Sequence, residues 1–88
     1  MIINTHPVLG IDISKERFDV CLITAGGSKE KYRKFRNDHR GFSELCDFLF
    51  RYEATTVHAC MESTGHYGDQ LAKWLYRNVS TTLRHFFS

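Results

Sequence analysis

Apolar and polar positions alternate through Val8-Leu9-Gly10-Ile11-Asp12-Ile13-Ser14. Leu9, Ile11 and Ile13 share one face, and Val8, Gly10, Asp12 and Ser14 the other. This period predicts a buried strand with a carboxylate in its middle. A carboxylate taken out of water without a partner costs several kcal/mol, so Asp12 is expected to be paired, hydrogen-bonded or bound to a cation. The polar link Ser14-Lys15-Glu16-Arg17 leads into a second alternating run, with Phe18, Val20, Leu22 and Thr24 on one face. So short a link predicts a hairpin. Ala25-Gly26-Gly27-Ser28 is a turn signal, and Lys29 to Arg36 predicts a third strand, with Tyr32 and Phe35 among five Lys and Arg residues.

The period then changes from two to between three and four. Asn37 and Asp38 are capping residues for a helix whose apolar positions are Phe42, Leu45, Phe48, Leu49 and Tyr52. Thr55 to Met61, β-branched at its start and ending at Glu62, predicts a fourth strand. The intervening helix makes a crossover, so this strand is expected to lie parallel to the first. Ser63 or Thr64 is expected to cap a second helix, with Tyr67, Leu71, Trp74 and Leu75 on its inner face, ending near Asn78. Residues 79–88 show no clean period. Three strands, a helix, a strand and a helix form the element order of the ribonuclease-H-like fold, an α/β architecture on a mixed sheet. In such a sheet the first and fourth strands are neighbours, about 4.8 Å apart. Asp12 and Glu62 are thereby expected side by side.

Composition narrows the class without deciding the function. A chain of 88 residues, 42% hydrophobic and 14% aromatic, suits one small globular domain and excludes a disordered tail. Twelve Lys and Arg against ten Asp and Glu leave a net charge of +2, too small to argue for nucleic acid by itself. Cys21, Cys46 and Cys60 are odd in number and lack metal-knuckle spacing, so buried free thiols in a reducing cytosol are expected. No apolar run reaches membrane-spanning length and the amino terminus lacks a leader pattern, so the expected location is cytoplasmic.

Two carboxylates on adjacent strands repel each other unless a divalent cation lies between them, and oxygen donors of this kind suit Mg²⁺ or Mn²⁺. Such ions can activate an attacking oxygen and stabilise a leaving one in phosphodiester cleavage. Capping, or pairing with Lys15 or Arg17, is the plainer reading of either acid. His58, Cys60 and Glu62 share a strand face, with His66 beyond, but alternating strand residues splay, and core His and Cys residues explain the pattern better than zinc. Ser63 and Thr64 beside His66 lack an orienting acid and are read as caps rather than nucleophiles. The basic third strand is either a phosphate track or, preferably, an edge strand protected by its charges.

Gly10-Ile-Asp-Ile-Ser-Lys-Glu-Arg-Phe-Asp-Val20, Phe35-Arg-Asn37, Gly41-Phe42 and Met61-Glu-Ser-Thr-Gly-His-Tyr67 together resemble the amino-terminal domain of the DEDD transposases. These are insertion-sequence transposases of the one-hundred-and-ten group, related to the Piv DNA invertase. The resemblance covers roughly residues 8–78. It implies a RuvC-like domain in which four acids bind Mg²⁺ or Mn²⁺ for cleaving and rejoining DNA strands. Asp12 matches the first acid and Glu62 the second; Ser63, Thr64, Gly65 and Tyr67 match the motif that follows. It further implies action on insertion-sequence DNA ends, oligomers or assembly with full-length transposase, an RNA guide in some members, and a carboxy-terminal domain with a serine nucleophile.

The family pattern would continue past Asn78 with a glycine, a fifth strand and the last two acids, whereas Val79 to Ser88 departs from it. The expected organisation is therefore a truncated family domain over residues 1–78 and a non-family tail over 79–88, inert alone, with the flank of the fourth strand unpaired. Two alternatives stand beside this. One is a fragment of an actin-like kinase or ATPase, against which the bulky Ser14-Lys15-Glu16-Arg17 counts; the other is a non-catalytic DNA-binding or transposase-binding remnant.

Overall fold

The computed structural model describes residues 6–27, 29–63 and 65–87. Strands β1 (Val8–Ile13), β2 (Arg17–Ile23) and β3 (Glu30–Arg36) are followed by helix α1 (His39–Arg51), strand β4 (Thr56–Ser63), helix α2 (Asp69–Asn78) and strand β5 (Ser80–Phe87). They build one five-stranded sheet in the order β3-β2-β1-β4-β5. The β1–β2 and β2–β3 pairs are antiparallel, while β4 runs parallel to β1 and β5 parallel to β4. This is the expected α/β mixed sheet, consistent with the ribonuclease-H-like fold.

Period-two alternation sorts the sheet into two unlike faces. Leu9, Ile11, Ile13, Phe18, Val20, Leu22, Phe35, Val57, Ala59 and Met61 form a single core with Phe42, Leu45, Phe48 and Leu49 of α1 and Leu71 and Leu75 of α2. Each of these side chains larger than alanine contributes about 1.5–3 kcal/mol by leaving water. Both helices cover this face, and the opposite face is open. Asp12, Asp19, His58, Cys60 and Glu62 are all exposed there. Asp12 therefore keeps its hydration and is not the buried charge that its strand suggested. The expectation of buried thiols is corrected: on the open face Cys60 is exposed and Cys21 half-buried, and Cys46 of α1 is half-buried.

The tail expectation also changes. Residues 80–87 pair with β4 from Thr56↔Ser80 to Ser63↔Phe87, so the flank of β4 is paired and residue 78 is no boundary in the sheet. The pattern hid this strand because both of its faces are largely polar. Only Leu83 contributes a partly buried aliphatic side chain to the core, while Arg84 and Phe86 point to the open face. The edge reading of the basic third strand matches the order of the sheet, in which β3 is outermost. Arg33 lies over the rings of Phe35 and Phe48 at 5.4 and 5.8 Å, so its stem and charge also cover core aromatics.

Helix α1 starts as the sequence indicates, with Asp38 as its cap: Oδ1 accepts from the Gly41 amide at 2.8 Å. Replacing Asp38 with Ala should cost about 1 kcal/mol, read as a lowered urea midpoint at unchanged slope. The exposed Arg36–Asp38 ion pair at 3.1 Å adds little to that figure. Helix α2 starts later than expected. Gly68 occupies its cap position and makes no side-chain capping bond. Ser63 is not a cap: it is the last residue of β4, buried, with Oγ 2.8 Å from His85 Nε2 on β5. Thr64, the other expected cap, lies outside the described residues. Tyr67 precedes the helix and is exposed. Among the described residues no helix is long and apolar enough to cross a membrane.

Candidate functional site

The two acids singled out in the sequence meet in the sheet. β1 and β4 are adjacent and parallel, and their register makes Asp12 and Glu62 direct partners. Adjacent strands are about 4.8 Å apart, and both side chains belong to the open face, so the carboxylates project from neighbouring positions on the same side. Among the described residues neither acid has an ion-pair partner, and their mutual repulsion is not offset by a fixed cation.

A third acid lies in the same row. Pairing Ile13 with Phe18 across the four-residue turn puts Asp19 opposite Asp12 on β2. Sequence reasoning passed over Asp19, although the hairpin it predicted already implied this register. Asp19 differs from the other two in having a partner, Lys34 Nζ of β3 at 3.8 Å, both side chains being well exposed. A shallow depression of about 430 Å³ includes Asp12, Asp19 and Glu62, with Cys60, Tyr32 and Phe86 on its walls. The Tyr32 hydroxyl donates to Glu30 Oε2 at 3.0 Å, and this hydrogen bond, with Cys21 beside it, pushes the phenol up to about 12. A larger recess, about 570 Å³, lies at the opposite end of the sheet between His6, Thr24, Tyr52 and Thr56, away from the paired acids.

The donor chemistry of the row fits a hard divalent ion as a partial site. Carboxylate oxygens from Asp12 and Glu62 are the ligands that Mg²⁺ and Mn²⁺ prefer, whereas the softer Cys60 and His58 lie farther along β4. Among the described residues no group of three His, Cys, Asp or Glu side chains converges on one point. The His58, Cys60, Glu62 and His66 set is likewise not assembled: three splay along the open face, and His66 Nδ1 lies 3.2 Å from Asp69 Oδ2 in the first turn of α2. His58 and Cys60 are exposed rather than the core residues expected.

The ends of β1 and β4 are tied down by a residue that sequence reasoning took only as a possible cap. Asn37 Nδ2 donates to the carbonyls of Ser14 at 3.1 Å, Lys15 at 3.3 Å and Tyr67 at 2.9 Å. Its backbone amide donates to Glu16 O at 2.8 Å. The signal available in the sequence was its place in the Phe35-Arg-Asn37 motif, directly before the helix cap.

The sequence profile of the DEDD transposases of the IS110 group, described as "Transposase", matches residues 9–83. The pilin gene-inverting protein of Moraxella lacunata is 38% identical over 68 residues, which make up 75% of this chain and 20% of that protein. Its counterpart in Moraxella bovis is 37% identical over the same shares. This chain thus spans about a fifth of the length of these curated relatives. A Ppx/GppA family protein of Aquifex aeolicus superposes on 93% of this chain, and 35% of its own, with a TM-score of 0.49 and 10% identity. That likeness is too slight to bear on function. The family match spans β1 to α2 and reaches past residue 78 into the first half of β5. This chain belongs to the DEDD transposase family of the IS110 group.

Proposed function

We propose that this chain supplies Asp12 and Glu62 to a divalent-metal centre, for Mg²⁺ or Mn²⁺, that cleaves and rejoins DNA strands at insertion-sequence ends. The observation that carries the reading is the register pairing of Asp12 with Glu62 on adjacent parallel strands, on the uncovered face of the sheet. Family membership supports it, since DEDD transposases are generally dependent on divalent metal. The Moraxella relatives are named for inverting a gene, which is also a DNA rearrangement.

In this reading Asp12 and Glu62 would hold the ion between them, and their like charges, which repel each other, would favour its uptake. The bound ion would supply Lewis-acid activation of the attacking oxygen and charge neutralisation at the scissile phosphate. Lys15 and Arg17, exposed at the end of β1 where Asp12 sits, attract the phosphate backbone. Two carboxylates do not complete a four-acid set. The 88 residues alone are accordingly assigned weak metal affinity and no strand transfer. An RNA guide and assembly with further transposase chains belong to the same proposal and rest on family membership alone.

Titrating the ¹⁵N-labelled chain with Mn²⁺ tests this directly. Paramagnetic broadening should centre on the Asp12 and Glu62 amides and vanish in Asp12→Asn. Broadening centred elsewhere, or unchanged in the variant, would remove the assignment.

A further inference from the structure

We infer that Asn37 is a positioning residue for the Asp12–Glu62 pair, its side-chain amide locking the chain that leaves β1 to the chain that leaves β4. The inference rests on the assignment of those two acids as the metal-binding pair.

Asp12 and Glu62 both lie one residue from the end of their strands, β1 finishing at Ile13 and β4 at Ser63. Strand ends fray unless something beyond the ladder holds them. Ser63 Oγ ties the end of β4 outward to His85 of β5, whereas the chain leaving β1 and the chain leaving β4 are joined to each other through the side chain of Asn37. Ser14 and Lys15 follow Asp12 by two and three residues, and Tyr67 follows Glu62 by five; the carbonyls of all three accept from Asn37 Nδ2. The three acceptors also settle the orientation of the amide, because the opposite orientation would turn its oxygen toward three other oxygens. Two N–H groups serve three carbonyls, so one N–H is shared, and the shortest bond, 2.9 Å, goes to Tyr67.

Asn37 is itself anchored. Its own amide bonds Glu16 O, and Asp38 next to it caps α1. The clamp thus joins four segments: the β1–β2 turn, the end of β3, the start of α1 and the loop before α2. No ladder hydrogen bond of the sheet does this, since β1 and β4 pair only as far as Ile13↔Ser63. Only the last ladder pair, Ile13↔Ser63, lies beyond Asp12↔Glu62, so without the clamp the end of the ladder opens more often and the spacing of the carboxylates is held less narrowly. The chemistry is specific to asparagine. Aspartate has the same shape but presents only acceptors to three carbonyls, and alanine reaches none of them.

The test compares Asn37→Ala and Asn37→Asp with Val57→Ala, which weakens the core at the far end of β4 without touching the clamp. Amide exchange is read at Ser14, whose N–H bonds Arg17 O, and at Asp69, whose N–H bonds His66 O. In the Asn37 variants both should exchange about tenfold faster relative to Leu45 in α1, the change expected for losing roughly one net hydrogen bond. The Mn²⁺ concentration that half-broadens Asp12 and Glu62 should rise by a similar factor of about ten. In Val57→Ala neither ratio should move. Equal effects in all three variants, or acceleration confined to one of the two loops, would overturn the positioning role while leaving the acids assigned. A wild-type chain with no Mn²⁺ broadening at Asp12 and Glu62 would instead overturn the proposed function, an outcome separable from the first because the exchange rates are read without metal.

Discussion

Replacing Phe42 with alanine is expected to lower the stability of the domain by about 3–5 kcal/mol, the range for deleting a fully buried aromatic ring. Phe42 is completely buried, with its ring centroid 6.0 Å from that of Phe18 on β2 and 6.1 Å from that of Trp74 on α2. It is therefore the side chain through which both helices and the sheet meet. At roughly 0.05–0.15 kcal/mol per residue, a chain of this size holds about 4–13 kcal/mol in all, so the variant stands close to unfolding. Urea denaturation followed by Trp74 fluorescence measures the loss, because the indole sits against the deleted ring. Phe42→Leu, which keeps most of the volume, should recover a large part of it. A loss below about 1 kcal/mol in the alanine variant would mean that the ring is not central to the core.

The second large effect has a sign opposite to what helix propensity suggests. Gly41 lies in the first turn of α1, where exchanging glycine for alanine is normally favourable by about 1 kcal/mol. Here a Cβ would overlap the Arg36 carbonyl oxygen and stand 2.7 Å from its carbon. These are backbone atoms at the end of β3 and cannot rotate away. Gly41→Ala must push α1 off the strand, a strain of about 3 kcal/mol that outweighs the propensity gain. The result to look for is a lower melting temperature together with faster exchange at Asn37 and Phe42, whose amides donate to Glu16 O and Asp38 O respectively. A more stable alanine variant would show that the helix can shift freely. The same close approach keeps Asn37 and Asp38 wedged between β3 and α1, so the glycine supports the clamp as well as the core.

Much of the architecture was legible because period two and period 3.6 are local properties. Leu9, Ile11 and Ile13, then Phe18, Val20 and Leu22, announce strands; Phe42, Leu45, Phe48 and Leu49 announce a helix, and Asp38 its cap. The parallel pairing of β4 with β1 followed from the helix between β3 and β4, and with it the meeting of Asp12 and Glu62 in one register. The family resemblance rested on short motifs over roughly residues 8–78, and the family match spans residues 9–83.

Other features had no local signature. β5 was missed because both faces of Ser80–Phe87 are largely polar, so its strand character depends on the exposed edge of β4 that it joins. Ser63 looked like a cap because Ser and Thr before a polar stretch usually are. In the fold its hydroxyl is instead engaged by His85, twenty-two residues away, which no window on the sequence contains. Alternation could show that Asp12, Cys60 and Glu62 share a face, but not that this face lies open to water. That depends on both helices packing on the same side, a consequence of how the connections cross the sheet. The sequence by itself determined the first four strands, α1, the body of α2, the family and the pairing of Asp12 with Glu62 across neighbouring strands, because these depend on residue type and spacing along the chain. Only the tertiary structure decided that the acids stand on an uncovered face, that Asp19, whose place in their row the hairpin already implied, is engaged by Lys34, and that Asn37 ties the chains leaving their strands together. Those facts depend on hydrogen bonds and charges between residues seven to thirty positions apart.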